Sequence, residues 1–133
     1  MRVEHILVAI RRRGTHLVAA LATVIAGLGA RIVLGGLAAK LAGDALYTVL
    51  VYVLVLMLRP EASIRRALAV AVGVSFAIEL AQLTPYPAML AQKHILFRLV
   101  LGTTFGAVDL VGYVIGGLLG AGLHALARRP RNA

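Results

Sequence analysis

The chain contains no cysteine. Disulfide cross-links and thiolate chemistry are therefore excluded. It is also poor in charge: 14% of its 133 residues are charged, and only five of these are acidic. Soluble domains carry about 25% charged and about 45–50% apolar residues. Here the apolar share is 61% and the mean hydropathy is +0.93. Such a chain has too little polar surface to cover a water-soluble globule, and composition points to an integral membrane protein. Catalytic signatures are missing as well. There is no serine–histidine or cysteine–histidine arrangement, phosphate-binding loop or metalloprotease motif. His5, His16, His94 and His124 are scattered without ligand spacing and read as interfacial residues. A hard cation held by Glu79 and Asp109 is a minor reading beside this, and no metal or cofactor is expected. No linker, low-complexity tract or internal repeat stands out.

The charge that is present is mostly positive, +9 in all, with an isoelectric point near 11.4. Its placement decides its meaning. Ten of the fourteen basic residues lie in three clusters: Arg2 with Arg11, Arg12 and Arg13; Arg59 with Arg65 and Arg66; Arg128 with Arg129 and Arg131. Each cluster abuts an apolar segment, which is the pattern of membrane topology. A nucleic-acid-binding face would gather them on one surface, so no nucleic acid is expected as a partner. The lipid bilayer is.

A membrane helix needs about 20 mainly apolar residues. The apolar runs predict an all-α integral membrane bundle of four transmembrane helices, over about 14–37, 41–58, 67–83 and 108–126, in one domain covering 1–133. Arg59-Pro60 closes the second span and Thr84-Pro85-Tyr86-Pro87 the third, as proline should. The stretch from Leu99 to Ala127 is too long for one span, so a short re-entrant or interfacial helix is expected before Gly106. Met1 to Ile10 read as a short helix on the membrane surface. A basic start before an apolar run resembles a signal sequence, but with three further spans the first is more simply a retained helix. Four crossings place all three basic clusters on one side and leave Arg31, Lys40, Lys93 and Arg98 on the other. The positive-inside rule then predicts both termini in the cytoplasm.

The stretch "VSFAIELAQLTPYP" holds Glu79 and Gln82 inside an oily run. A charge at the bilayer centre costs about 2.5–3.5 kcal/mol on insertion scales. Glu79 is six residues before Pro85, about 9 Å below the outer end of its helix at about 1.5 Å per residue. Gln82 lies one turn closer to the surface on the same face. Arg31 ends the first span, Asp44 opens the second and Asp109 opens the last. Five polar groups from four helices thus share the outer half of the membrane. Glu79 and Gln82 are expected near Asp109 or Asp44, in a small polar cavity opening outward. Tyr113, one turn beyond Asp109, can hydrogen-bond into it or serve as an interfacial anchor. The plainer reading is that these groups glue the bundle, and an Arg31–Asp44 pair pinning the first hairpin fits that best. Gly112, Gly116 and Gly120 recur every fourth residue and read as a close-packing face, with a homodimer face as the lesser reading.

These residues also carry a resemblance. "GDALYTVLVYVLVLMLRP", "FAIELAQL" and "LVLGTTFGAVDLVGYVIGGLLG" resemble a bacterial membrane family labelled domain of unknown function 2809, itself similar to the wider VanZ-like group. The resemblance runs from about Arg31 to Leu123. Its marks are Gly-Asp opening one helix, Glu-x-x-Gln ending another, and an aspartate before a glycine-rich last helix. VanZ-like proteins often carry an asparagine soon after that aspartate; here Tyr113 stands roughly in its place. The resemblance implies a small multi-pass protein of the bacterial cytoplasmic membrane acting at the cell envelope, since VanZ itself is associated with resistance to a glycopeptide antibiotic.

The expected function is therefore recognition or handling of an amphipathic envelope ligand, lipid-linked or glycopeptide-like, by Glu79, Gln82 and Asp109 with Asp44, Arg31 and Tyr113. Three rivals stand beside it. One is an accessory subunit packed on a larger membrane protein. Another is a membrane enzyme with Glu79 as general base, for which no leaving group is specified. The last is proton- or ion-coupled transport, which four spans would support only as a dimer.

Overall fold

A computed structural model describes residues 2–102 and 105–128. It is all helical, and no strand forms among the described residues. Among the described residues six helices follow one another: α1 (Arg2–Val33), α2 (Gly36–Leu58), α3 (Ile64–Ala81), α4 (Tyr86–Lys93), α5 (Ile95–Leu101) and α6 (Ala107–Arg128). Three helices, α1, α2 and α6, are long and apolar enough to cross a membrane. A fourth span is formed if α3 and α4, bent by 90° where they meet, count as one. Large apolar side chains point outward along every long helix, among them Ile25, Leu54, Val74 and Leu118. In water that surface would drive aggregation; against lipid it needs no cover.

The helix limits follow local chemistry. The α1–α2 turn uses Gly36 at φ +56°, a conformation that favours glycine. The Ser63 hydroxyl caps α3 by accepting from the Arg66 N–H at 3.2 Å. Arg59 and Pro60 end α2, and Thr84 and Pro85 lie in the bend after α3, as proline chemistry predicts. Two expectations are corrected. The N-terminal residues are not a separate surface helix. Helix α1 is continuous from Arg2 and, with 32 residues, extends about 48 Å at about 1.5 Å per residue. Nothing in "RRRGTH" breaks it, since all but Gly14 tolerate helix well. The first span also stops at Val33 and the second starts at Gly36, because the glycine pair turns the chain before the sequence loses its apolar character. The helix expected before Gly106 is α5, and α4 precedes it. Thr103 and Thr104 lie outside the described residues.

Helix α2 is the hub, packing against α1, α3 and α6. The seam between α2, α3 and α6 repeats every four residues: Thr48, Tyr52 and Leu56 on α2; Ala67, Ala71, Ser75 and Glu79 on α3; Gly112, Gly116 and Gly120 on α6. That spacing keeps each set on one helix face. The α6 glycines serve packing within the chain. A Cβ on Gly116 would collide with the backbone of Ala45, and one on Gly120 would stand 2.9 Å from the Tyr52 ring. This stripe is spent inside the chain and is not an open dimer face.

Candidate functional site

One end of the seam carries nearly all the buried charge. Glu79, on the last turn of α3, is only 1% exposed. Its Oε2 accepts from the Tyr113 hydroxyl at 2.6 Å and its Oε1 from the Gly106 N–H at 2.7 Å. Tyr113 is held on its other sides by Tyr47 and Phe76, with ring centroids 6.0 and 6.4 Å away. Asp109 sits in the first turn of α6, where a carboxylate suits the helix dipole. Lys40 Nζ lies 3.2 Å from its Oδ1. Asp44 lies beside Asp109, and Glu79 and Lys40 share that neighbourhood.

The α5–α6 connection is stitched over this cluster. The Tyr47 hydroxyl donates to the Val100 carbonyl at 3.0 Å, and the Gln82 amide donates to the Leu101 carbonyl. The bond from the Gly106 N–H to Glu79 is the third stitch. Two glycines make the close approach feasible. Gly102 has φ +66° and lies against the Gln82 amide. A Cβ on Gly106 would stand 2.9 Å from Asp109 Oδ2 and 3.0 Å from Lys40 Nζ.

What remains open is a cavity of about 330 Å³. Arg31, Asp44, Glu79, Gln82, Asp109 and Tyr113 all line it, with Arg98, Tyr47 and the α5 backbone. The six residues singled out in the sequence thus reach one cavity from four helices. Glu79 shares the neighbourhood of Asp44 and Asp109, and its hydrogen-bond partners there are Tyr113 and the Gly106 amide. No Arg31–Asp44 ion pair forms among the described residues; the cation on Asp109 is Lys40. In the sequence Lys40 and Arg98 count only toward topology. The spacing of Lys40 four residues before Asp44 on one helix was the available signal for Lys40. Arg98 had none, because α5 folds back over the cavity only in three dimensions.

A second cavity of about 270 Å³ adjoins the first. It shares Arg31, Gly43, Tyr47, Leu99 and Val100 with it and is otherwise walled mainly by apolar residues of α1 and α2, including Val24, Leu28, Leu46 and Leu50. The polar cavity therefore lies next to an apolar groove between α1, α2 and α5, with the hydrogen-bonded Tyr47 and Val100 at their common boundary. No group of three His, Cys, Asp or Glu is placed to hold a metal ion among the described residues.

At the other end, the histidine reading needs one correction. His124 is not merely interfacial: its Nδ1 hydrogen-bonds the Tyr52 hydroxyl at 2.7 Å, joining α6 to α2.

The model of the family described as Protein of unknown function (DUF2809) matches residues 33–117, more than half of the chain. That range contains every residue of the polar cavity except Arg31. No curated protein and no solved structure matches the chain.

Proposed function

This chain belongs to the DUF2809 family, and from that premise we propose that it recognises or handles an amphipathic ligand at the cavity built around Glu79, Gln82 and Asp109. One observation carries this reading: a charged cavity adjoins an apolar groove, and the two share Arg31, Gly43, Tyr47, Leu99 and Val100 in their lining. A purely polar solute has no use for the groove, and a purely apolar one would strand the carboxylates. Binding sites combine apolar walls with a few placed polar groups in this manner. The setting we propose is a bacterial cytoplasmic membrane with both termini inside, given the ten-to-four basic bias. The cavity then faces the outer leaflet, which fits the similarity to VanZ-like envelope proteins.

Gly27 lines the groove, and a Cβ there meets only Leu46, at 3.8 Å. Gly27→Phe should fill the groove and leave the seam intact. Native mass spectrometry of the purified full chain should show co-purifying amphiphiles on the wild type and none on this variant, with equal helicity by circular dichroism. Unchanged retention by the variant would overturn the reading.

A second reading draws on α1. Residues 2–13 extend the span by about 18 Å at about 1.5 Å per residue, and Val3, Ile6, Leu7 and Ile10 on it are exposed. That surface suits an accessory subunit docked on a larger membrane protein. Its test is a stable complex in mild-detergent pull-downs that is lost when residues 2–13 are deleted.

A further inference from the structure

The polar groups around the cavity fall into two sets. The first is satisfied. Glu79 accepts two hydrogen bonds, from Tyr113 and from the Gly106 N–H. The second set is not. Gln82 Oε1, Asp44 Oδ2 and Asp109 Oδ1 are buried acceptors with no hydrogen-bond partner among the described residues, and Asp109 Oδ1 has only the Lys40 ion pair at 3.2 Å. Buried polar atoms in native proteins are nearly always paired, so Asp44 and Gln82, which have no ion pair either, call for donors at the cavity they line. Arg31 and Arg98 also line the cavity, and neither forms an ion pair among the described residues.

Position orders these groups. The acceptors Asp44 and Gln82 belong to the cavity alone. Arg31 belongs to both the cavity and the groove, at their junction. Beyond it the groove is lined by Leu28, Leu46 and Leu50. The cavity thus holds the acceptors with the Arg98 guanidinium, Arg31 stands where cavity and groove adjoin, and the groove is hydrocarbon. Guanidinium is the group that matches phosphate oxygens in bidentate geometry. A ligand of complementary order has N–H or O–H donors, then an anionic phosphoryl group, then an apolar chain.

Resting on the amphiphile reading above, we propose that the site takes a phosphoryl lipid whose headgroup carries hydrogen-bond donors beyond the phosphate. Its phosphate sits at Arg31 and Arg98, its donors reach Asp44 and Gln82, and its chain lies in the groove between α1, α2 and α5. Satisfied Glu79 and Tyr113 form the floor of the site.

The test is lipid titration of the full chain in mild detergent, read by native mass spectrometry. The probes are phosphatidylethanolamine, phosphatidylglycerol, phosphatidylcholine, diacylglycerol and inorganic phosphate. At least one of the first two, which carry donors, should bind about tenfold or more tighter than phosphatidylcholine, whose trimethylammonium has none. Arg31→Gln and Arg98→Gln should each weaken that lipid about five- to tenfold without lowering the melting temperature. Diacylglycerol should bind weakly, and inorganic phosphate should not displace the lipid. Phosphatidylcholine binding equal to the donor lipids would overturn the headgroup assignment. Unchanged affinity when Arg31→Gln and Arg98→Gln are combined would overturn the phosphoryl assignment, as would displacement by inorganic phosphate alone. Tight diacylglycerol binding abolished by Gly27→Phe would refute the phosphate and keep the amphiphile reading. No retention of any lipid would refute both.

Discussion

The two ends of the α2–α3–α6 seam share one backbone plan and differ in what it holds. Both repeat every four residues along all three helices. At one end Tyr52 and Leu56 meet Ala67, Ala71 and Gly120 in a closed, close-packed contact. At the other, Asp44, Glu79, Asp109 and Tyr113 leave a cavity that α5 only partly covers. Between them Thr48 and Ser75 hydrogen-bond at 2.9 Å, both fully buried. Small residues let helices meet without a gap, whereas charged residues must keep room for partners or water. The closed end carries the stability on which the open end depends.

Substitutions should separate the ends. The largest effect is expected between the ends, where α6 lies against Ala45, the chain neighbour of Asp44. Gly116→Val puts a side chain into the backbone of Ala45 and should exceed the usual overpacking cost of about 1–3 kcal/mol. Expression in the membrane and the detergent melting temperature should both fall sharply. A variant melting like the wild type would show that α6 does not pack on α2 as described.

Next comes Glu79→Leu at the open end. It strands the Tyr113 hydroxyl and the Gly106 N–H, each at about 1–3 kcal/mol if it stays unpaired and buried. Glu79→Gln should behave differently. The amide oxygen can accept from Gly106 while its N–H₂ donates to the Tyr113 oxygen, because a hydroxyl can accept as well as donate. We expect this variant to lose less than about 1 kcal/mol. A fall in stability for Glu79→Gln as deep as for Glu79→Leu would return Glu79 to a purely structural role.

The smaller effects lie along the rest of the seam. Tyr52→Phe removes the bond to His124 and should cost about 0.5–1.5 kcal/mol, read as a lower melting temperature with ligand retention unchanged. Thr48→Val should cost about 1 kcal/mol alone and less beside Ser75→Ala, since the pair then loses both partners. The same cost for Thr48→Val in the wild type and beside Ser75→Ala would show that the two hydroxyls are not coupled. Least is expected from Arg59→Ala, whose contact with Glu61 is 4.0 Å long and exposed. Such surface pairs contribute about 0–1 kcal/mol, so its melting temperature should match the wild type.

Much of this contrast was legible in the linear chain. Hydropathy marked the long helices, prolines marked two of their ends, and counting residues from those ends placed Arg31, Asp44, Glu79, Gln82 and Asp109 at one depth. Depth follows from a constant rise per residue, so it can be read without knowing the packing. The glycine spacing on α6 likewise announced a close contact. The continuity of α1 through Arg11 to Arg13 was missed because charge marks a membrane boundary, not a helix boundary.

Sequence alone therefore determined the solvent of this protein, its helical class and the level at which its buried charges lie. These properties are set by composition and by the fixed geometry of a helix. Tertiary structure alone decided which charges meet. Glu79 takes Tyr113 and the Gly106 amide, Asp109 takes Lys40, and Arg98 reaches the cavity, because α5 folds back over the end of the bundle. Rotation of each helix about its axis and the path of a connecting segment depend on side chains from several elements packing at once. No local pattern encodes them.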